Sequence, residues 1–497
     1  MALPPRGGGG TGALRRRRAE SLIAMSELGP FFGVALISVV MWYLAGDWIA
    51  ALGVWVLAAG WRFLQSAEGP PVLALAFTFQ WAQVTSGIYY YAVTGRRLDT
   101  MDLSDYRPMV LVGLGCLVAV LLGLKLGLWL ARPRAPGAAA APQFALSFRA
   151  LLIAYVVNIA VSGPIQEAAW HFPALAQGIL ALTFARLGLL FLIFRRLCQP
   201  RVRLVWIGVL LAGEIAIGFT GYYAGFREPM MMAAVALLET FDRRRLKHWL
   251  VVGVLVAVMG STGVLWLAVR GDYRHDLDSD AVSESREERL AHIGRLTRDW
   301  LKNDPGQLLE NLDFFVDRLW AVYYPALAMS QVPAVLPHEN GAILLRAVEH
   351  LVTPRFLFPD KPRLPSDSEM VRKYAGVWVA GEEEGTSIAF GYAIESYIDF
   401  GIPLMFLPVF VYALLLGVAY QCLLRAVRHR ELAVALVTTI FWMSLYLFER
   451  SWVKHLGFTV TLIVYLGGAT IVADRVLLWF DAARPARRRV QLGGGAS

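Results

Sequence analysis

Six of the cationic side chains between positions 227 and 361 are predicted to lie near one surface, and their chemistry suits an anionic ligand. Arg227 closely follows Gly225, and Arg270 and Arg274 flank Gly271-Asp272-Tyr273. An arginine fork binds phosphate oxygens in bidentate fashion, so several arginines that converge predict a diphosphate site. Contact with lipid headgroups would explain any single one equally well, but the group favours a site. The six are Arg227, Arg270, Arg274, Arg318, Arg355 and Lys361.

Carboxylates that could take a proton from an attacking hydroxyl occur in the same part of the chain. Glu395 is the preferred general base because it lies among Tyr392, Tyr397 and Phe400, although pairing with a nearby arginine is an equal alternative. With Arg227 and Arg355 it makes up the predicted catalytic set. The run Glu382–Glu384 is interpreted as a solvated stretch of charge. Further candidates for the base are Asp399, Asp360, Asp272 and Glu228.

Two other charges fall inside apolar stretches. Arg186 and Glu214 lie at similar depth by residue counting, and charges inside a membrane are usually paired or functional. A structural pair is favoured over a proton relay. Glu167 and His171 could line the site, but a lone histidine is more often structural.

Motifs for other chemistry are missing from the sequence. No Cys/His metal-ligand spacing, phosphate-binding glycine motif or serine nucleophile elbow occurs. No nucleic-acid-binding module is visible. The three cysteines, Cys116, Cys198 and Cys422, lie in or beside apolar stretches, which excludes a disulfide framework in the polar part of the chain. Neither a metal nor another cofactor is expected, so an activated substrate would have to supply the energy.

The elements that position these residues are predicted to be membrane helices. Of the 497 residues 57% are hydrophobic and 17% charged, against about a quarter charged in soluble domains. The predicted fold is an all-α polytopic bundle of about twelve spans, with 229–241 short enough to be re-entrant. The stretches are 28–46, 47–64, 71–94, 108–131, 146–162, 172–194, 204–223, 229–241, 249–269, 402–424, 432–448 and 456–478.

The placement of the charge, net +9, predicts the topology. With twelve spans, all the arginine-rich clusters fall on one side, which the positive-inside rule makes the cytoplasm. The predicted parts are a cytoplasmic tail (1–27), a first bundle of about nine spans (28–269), an external catalytic loop (270–401), three last spans (402–478) and a second cytoplasmic tail (479–497).

The external loop is predicted to contain helices and irregular structure. An amphipathic helix is expected over 285–303, capped by Ser283 or Ser285, and a second helix begins at Pro305. A third covers 341–352 and stops before Pro354. The stretch 354–388 is predicted to be an irregular, ordered lid.

Three runs in this loop resemble the oligosaccharide repeat-unit polymerases, the Wzy-type O-antigen polymerases. They are Pro354-Arg355-Phe356-Leu357-Phe358-Pro359-Asp360-Lys361-Pro362, then Thr386-Ser387-Ile388, then Glu395-Ser396-Tyr397-Ile398-Asp399-Phe400-Gly401. The segments Gly225-Phe226-Arg227-Glu228 and Arg270-Gly271-Asp272-Tyr273-Arg274 look like the arginine-bearing segments of that family. The plan of many spans and one late external loop is also similar.

The resemblance implies glycosyl transfer at the periplasmic face of a bacterial inner membrane. Donor and acceptor would both be glycans on undecaprenyl diphosphate, and neither metal nor nucleotide sugar would be needed. Arg227, Arg270, Arg274 and Arg355 would hold the diphosphate with help from Arg318 and Lys361, and Glu395 would activate the acceptor. A chain-length regulator would be a further partner, and nucleic acid would not.

Two alternatives remain open at this point. O-antigen ligases have a similar plan and would transfer a finished glycan to another acceptor. A polysaccharide transporter or flippase would instead depend on charges near the bilayer midplane, for which Arg186 and Glu214 are the candidates. The sequence shows no internal repeat, which weakens the transporter alternative.

Overall fold

A computed structural model describes residues 30–65, 69–132, 146–172, 175–198, 203–220, 225–242, 244–278, 285–302, 305–353, 357–358 and 360–483. Within these ranges the regular structure is helical and contains no strand, so the all-α prediction is confirmed.

The helices are numbered in chain order. Helices α1 to α7 are Pro30–Ala45, Trp48–Leu64, Val72–Thr94, Asp99–Leu103, Tyr106–Leu130, Phe148–His171 and Ala176–Thr183. Helices α8 to α14 are Ala185–Cys198, Leu204–Phe219, Arg227–Glu239, Leu246–Asp278, Arg286–Leu301, Pro305–Leu319 and Tyr323–Gln331. Helices α15 to α21 are Ala342–Val352, Asp367–Ala375, Tyr392–Phe400, Phe406–Ala426, Arg430–Leu445, Trp452–Thr461 and Gly468–Ala483. A 3₁₀ turn covers Glu382–Glu384, and a π-helical turn, Leu462–Gly467, joins α20 to α21.

Six helices of the described chain, fewer than the predicted twelve or so, are long and apolar enough to cross a membrane. They are Tyr106–Leu130, Phe148–Glu167, Ala176–Cys198, Leu246–Leu277, Phe406–Ala426 and Trp452–Trp479, and three shorter apolar helices are α1, α2 and α9. The stretches 229–241 and 432–448 form helices of 13 and 16 residues, α10 and α19. Both are enclosed by protein, so their apolar composition reflects a protein core and does not by itself indicate a span.

The outside of the bundle carries large apolar side chains. Helices α6 and α11 expose rows that include Val156, Val157, Leu250 and Val254. Contiguous exposed apolar surface marks a site of contact with a membrane or a partner, and here it follows helices of spanning length. The structure therefore agrees with a membrane protein.

Helices α5 and α18 pack closely against each other through glycine residues. A Cβ atom on Gly127 would lie 2.1 Å from the carbonyl oxygen of Leu414, and one on Gly417 would lie 2.5 Å from that of Leu124. Small residues allow helix backbones to pack this closely in membrane proteins.

The loop over 270–401 contains more helix than predicted. Helix α12 begins after Ser285, whose hydroxyl accepts the Glu288 N–H at 3.3 Å, and α13 begins at Pro305, as expected. The prediction of an irregular 354–388 is wrong in part, because α16 forms there behind a capping box of Ser366 and Glu369. The acidic run is exposed as predicted, although Glu383 pairs with Arg372.

Candidate functional site

The site is built around a break between two buried helices. Helix α19 ends at Leu445 and α20 begins at Trp452, which leaves a non-helical junction segment, 446–451. Backbone groups buried among apolar helices need internal partners, and two glutamines of α3 provide them. Gln80 donates to the carbonyl oxygen of Leu445, and Gln83 donates to that of Tyr446 at 2.7 Å. The side-chain oxygen of Gln83 accepts the Phe448 N–H at 3.1 Å.

Helix α17 supports the junction segment from its other side. The Tyr392 N–H donates to the carbonyl oxygen of Arg450 at 2.8 Å, and the Trp452 indole donates to Ser396 at 2.8 Å. Gly391, at φ +92°, permits this approach, because a Cβ there would lie 2.3 Å from the carbonyl oxygen of Phe448.

Glu395, the predicted base, lies on α17 and contacts the start of α20. It is 4% exposed, and its carboxylate accepts the Trp452 N–H at 2.6 Å, at the start of α20. Burial raises the pKa of Glu395 to about 8, against the opposing effect of that hydrogen bond. One turn later Asp399 accepts the N–H groups of Ile343 and Leu344 at 3.0 and 2.8 Å, at the start of α15. Both carboxylates of the resemblance motif therefore cap helices.

The predicted arginines gather on the open side of the junction segment. Arg227, the first residue of α10, lies 4.8 Å from the ring centroid of Tyr446 and donates to its hydroxyl at 3.0 Å. Its side chain is 38% exposed and contacts Glu228 at 3.2 Å. Arg450, which is not among the predicted site residues, lies 5.4 Å from the same ring centroid and donates to the carbonyl oxygen of Met443 at 2.7 Å.

Glu449 connects these groups to the arginines of the external loop. Arg318 contacts the Glu449 carboxylate at 3.3 Å, and Arg227 is attracted electrostatically to the same carboxylate. Arg270 is half-buried and is repelled by Arg318 and Arg274. Four of the six predicted cations are thus near one another. With Arg450 they form the arginine cluster: Arg227, Arg270, Arg274, Arg318 and Arg450.

A cavity of about 170 Å³ adjoins the cluster. Arg318 and Glu449 line it together with Asp317, Tyr323 and Tyr324. Burial raises the pKa of Tyr324, which therefore stays a neutral hydroxyl donor near neutral pH. The cavity offers guanidinium, carboxylate and phenol groups to one small ligand. Among the residues that the structure describes, the arginines of the cluster outnumber the carboxylates near them, so an anion fits the cluster best.

The remaining predicted residues lie elsewhere. Lys361 donates to the carbonyl oxygen of His350, near the C-terminal end of α15, where a cation is favoured by the helix dipole. Asp360 is exposed. Arg355 lies outside the described residues, as do Pro354, Phe356 and Pro359. His171 pairs with the carbonyl oxygen of Glu167 at 2.9 Å at the end of α6, and both residues are exposed.

The two charges inside apolar helices form the predicted pair. The Arg186 guanidinium contacts the Glu214 carboxylate, which also accepts from the hydroxyl of Tyr155. Glu214 is fully buried, so its charge is balanced within the protein.

The fold and the site define an all-α protein with helices long enough to span a membrane and an arginine-rich site at the helix ends. The chain belongs to the DUF8712 family, a domain of unknown function, which matches residues 141–429. That range includes four arginines of the cluster and ends before Glu449 and Arg450. No curated protein and no solved structure matches the chain.

Proposed function

We propose that the protein is a membrane glycosyltransferase that acts on lipid-diphosphate-linked oligosaccharides and needs neither metal nor nucleotide. The observation that carries this proposal is the gathering of Arg227 and Arg318 at Glu449 beside a cavity, with Arg270 close to Arg318 and Arg274. The four arginines come from α10, α11 and α13 and Glu449 from the junction segment, so packing of the bundle is required to assemble them. A preassembled excess of guanidinium groups suits a ligand that develops negative charge.

The proposed reaction breaks the bond between the anomeric carbon of the donor sugar and the diphosphate oxygen. The electron pair of that bond remains on the diphosphate, where Arg227 and Arg318 stabilise the charge. A hydroxyl oxygen of the acceptor forms the new bond to the anomeric carbon. Its proton passes to a carboxylate, and we assign that role to Glu449 because it lines the cavity. Glu395 then supports the site through the junction segment.

The finer assignment rests on the resemblance of the loop motifs. Those motifs favour a polymerase that joins undecaprenyl-diphosphate-linked repeat units at the periplasmic face of the bacterial inner membrane, with both chain termini in the cytoplasm. Under this proposal the long apolar helices cross the bilayer and the arginine cluster lies at its outer surface.

The test is complementation of a gene deletion in the bacterium that encodes the protein, with the surface polysaccharide separated by size. The wild-type gene should restore a ladder of chain lengths, whereas Arg227→Ala and Arg318→Ala should not. Arg97→Ala is the matched control, because Arg97 is exposed and pairs with the nearby Asp102 at 2.8 Å. Full ladders from both cluster variants would overturn the proposal.

The same deletion separates a polymerase from a ligase. Loss of a polymerase should leave a single repeat unit on the acceptor, whereas loss of a ligase should leave none. A transporter would require Glu214 and tolerate loss of Arg227. Since Glu214 is paired within the bundle, we expect Glu214→Ala to lower the amount of folded protein and to leave the ladder spacing unchanged.

A further inference from the structure

A second cavity, of about 530 Å³, lies between α11, α12 and α13 and is open to the surface. The reaction proposed for the arginine cluster assigns no role to this cavity. Its volume falls within the range of about 300–1,000 Å³ typical of small-molecule sites. The side chains that line it include Asp272, Trp300, Gln307, Glu310, Asn311 and Phe314. We refer to it as the α11–α13 cleft.

The lining combines two kinds of surface. Carboxylates and amides bind hydroxyl groups through directional hydrogen bonds, and Asn311 already uses one amide hydrogen on the carbonyl oxygen of Gln307 at 2.8 Å. Trp300 and Phe314 provide flat apolar surface, and the side chain of Phe314 is 51% exposed. A ligand with many hydroxyl groups and an apolar ring face, such as a pyranose, matches both kinds of surface.

The charge of the lining residues further limits the class of ligand that fits the cleft. Asp272 and Glu310 are exposed acids on the cleft, and the third acid there, Asp299, is paired with Lys302 at 2.9 Å. Like charge disfavours an anionic ligand, so a uronate or a phosphate fits the cleft poorly. The arginine cluster has the opposite preference.

The two cavities share a wall. Phe314 lines both the cleft and the smaller cavity that contains Arg318 and Glu449. Arg318 follows Phe314 by one helical turn on α13, which places the two side chains on the same face. A ligand with an anionic end at the arginines could therefore extend past Phe314 into the cleft.

We propose that the α11–α13 cleft binds the saccharide of the lipid-linked substrate, and that this saccharide is neutral or amine-bearing where it enters the cleft. The ligand assignment rests on the proposed function, because the glycan attached to the diphosphate is what would reach the cleft. Binding of a free glycan does not require the transfer reaction, so the two can be tested separately.

The test is binding of the purified full-length protein, in nanodiscs, to an array of neutral, amine-bearing and uronate-bearing glycans. Wild type should bind a subset of the neutral or amine-bearing glycans. Trp300→Ala and Glu310→Gln should each weaken this binding roughly tenfold or more. The matched controls are Trp378→Ala and Glu287→Gln, since Trp378 and Glu287 are exposed and lie outside the lining. Thermal unfolding identifies any variant whose loss of binding reflects misfolding.

Arg227→Ala distinguishes this inference from the proposed function. It should keep glycan binding and lose transfer. Wild type that binds glycan but catalyses no transfer would reject only the transferase, and transfer retained by Arg227→Ala would reject only the role of Arg227. Absence of binding to every glycan, preference for uronates, or unchanged binding in both cleft variants would overturn the cleft assignment.

Discussion

Glu395 supports the junction segment from helix α17, whereas Glu449 is part of that segment. The two carboxylates differ in their exposure and in their partners. Glu395 is 4% exposed and accepts a backbone N–H at the start of α20. The Glu449 side chain is 30% exposed, contacts Arg318 and lines a cavity. One carboxylate fixes the position of the junction segment, and the other is presented by it. Residue type and neighbouring aromatics did not separate these roles, whereas the hydrogen-bond partner of each carboxylate does.

The largest effect that follows from this difference is on catalysis. Glu449→Gln should lower transfer by about 10²–10⁴-fold, the usual contribution of a general base, while thermal unfolding stays unchanged. Initial rates with reconstituted protein and lipid-linked repeat unit measure this effect. Glu287→Gln should keep the wild-type rate. A Glu449→Gln enzyme of normal rate would return the search for the base to Glu228 and Asp317.

The role of Glu395 should be measurable in the stability of the folded protein and in how that stability depends on pH. Its folded-state pKa of about 8 lies above the ordinary value of 4.5, so the folded protein binds the proton more tightly than the unfolded chain. The contribution of Glu395 to the free energy of unfolding is complete below about pH 4.5. It declines as the pH rises to 8, by up to about 1.4 kcal/mol per pH unit.

Unfolding measured between pH 5 and 8 tests this expectation. Glu395→Gln, which cannot ionise, should remove most of the slope and be more stable than wild type at pH 8. The other charges that act on Glu395 are Asp367, Asp399 and Lys454, so Asp399→Asn shows how much of the slope belongs to its neighbour. Equal slopes in wild type and Glu395→Gln would contradict the burial argument.

A third test separates support of the junction segment from chemistry. Gln83→Leu leaves the buried carbonyl of Tyr446 and N–H of Phe448 without side-chain partners, which should lower the free energy of unfolding by about 1–3 kcal/mol for each group. Transfer should fall as well, because Glu449 and Arg450 lose their position. Gln166→Leu, at an exposed position of helix α6, is the control for replacing a glutamine with an apolar side chain. Unchanged stability in Gln83→Leu would show that the segment is held by other contacts.

How far the sequence predicts this structure depends on the range of the interactions involved. Helix α12 and its Ser285 cap follow from local periodicity and capping, and the pair Arg186–Glu214 follows from equal depth in the bundle. Four of the six predicted cations gather because helix ends on one side of a bundle are close in space. Helix α16 begins at the capping-box pattern Ser366-x-x-Glu369, a local signal from which the helix can be predicted.

The junction segment could not be predicted in the same way. The stretch 432–448 reads as a continuous apolar span. Its helix ends at Leu445 because partners on α3, hundreds of residues away, bind the buried backbone groups that the helix leaves unpaired. The signals in the sequence are the polar run Glu449-Arg450-Ser451 and the two glutamines, Gln80 and Gln83, of the mainly apolar helix α3. Long-range pairing of this kind also decides that Glu395 caps a helix.

The smallest effect is expected for the acidic run, 382–384, because its carboxylates have no function in the proposed site. Glu382, Glu383 and Glu384 are exposed, and Glu383 makes an ion pair with Arg372 at the surface. Exposed ion pairs contribute little and are screened by salt. Replacing all three with glutamine should therefore leave both the unfolding temperature and the polysaccharide ladder unchanged at physiological ionic strength. A shortened ladder from this variant would mean that the acidic run contacts the substrate. Full exposure of a carboxylate would then no longer show that the carboxylate has no function.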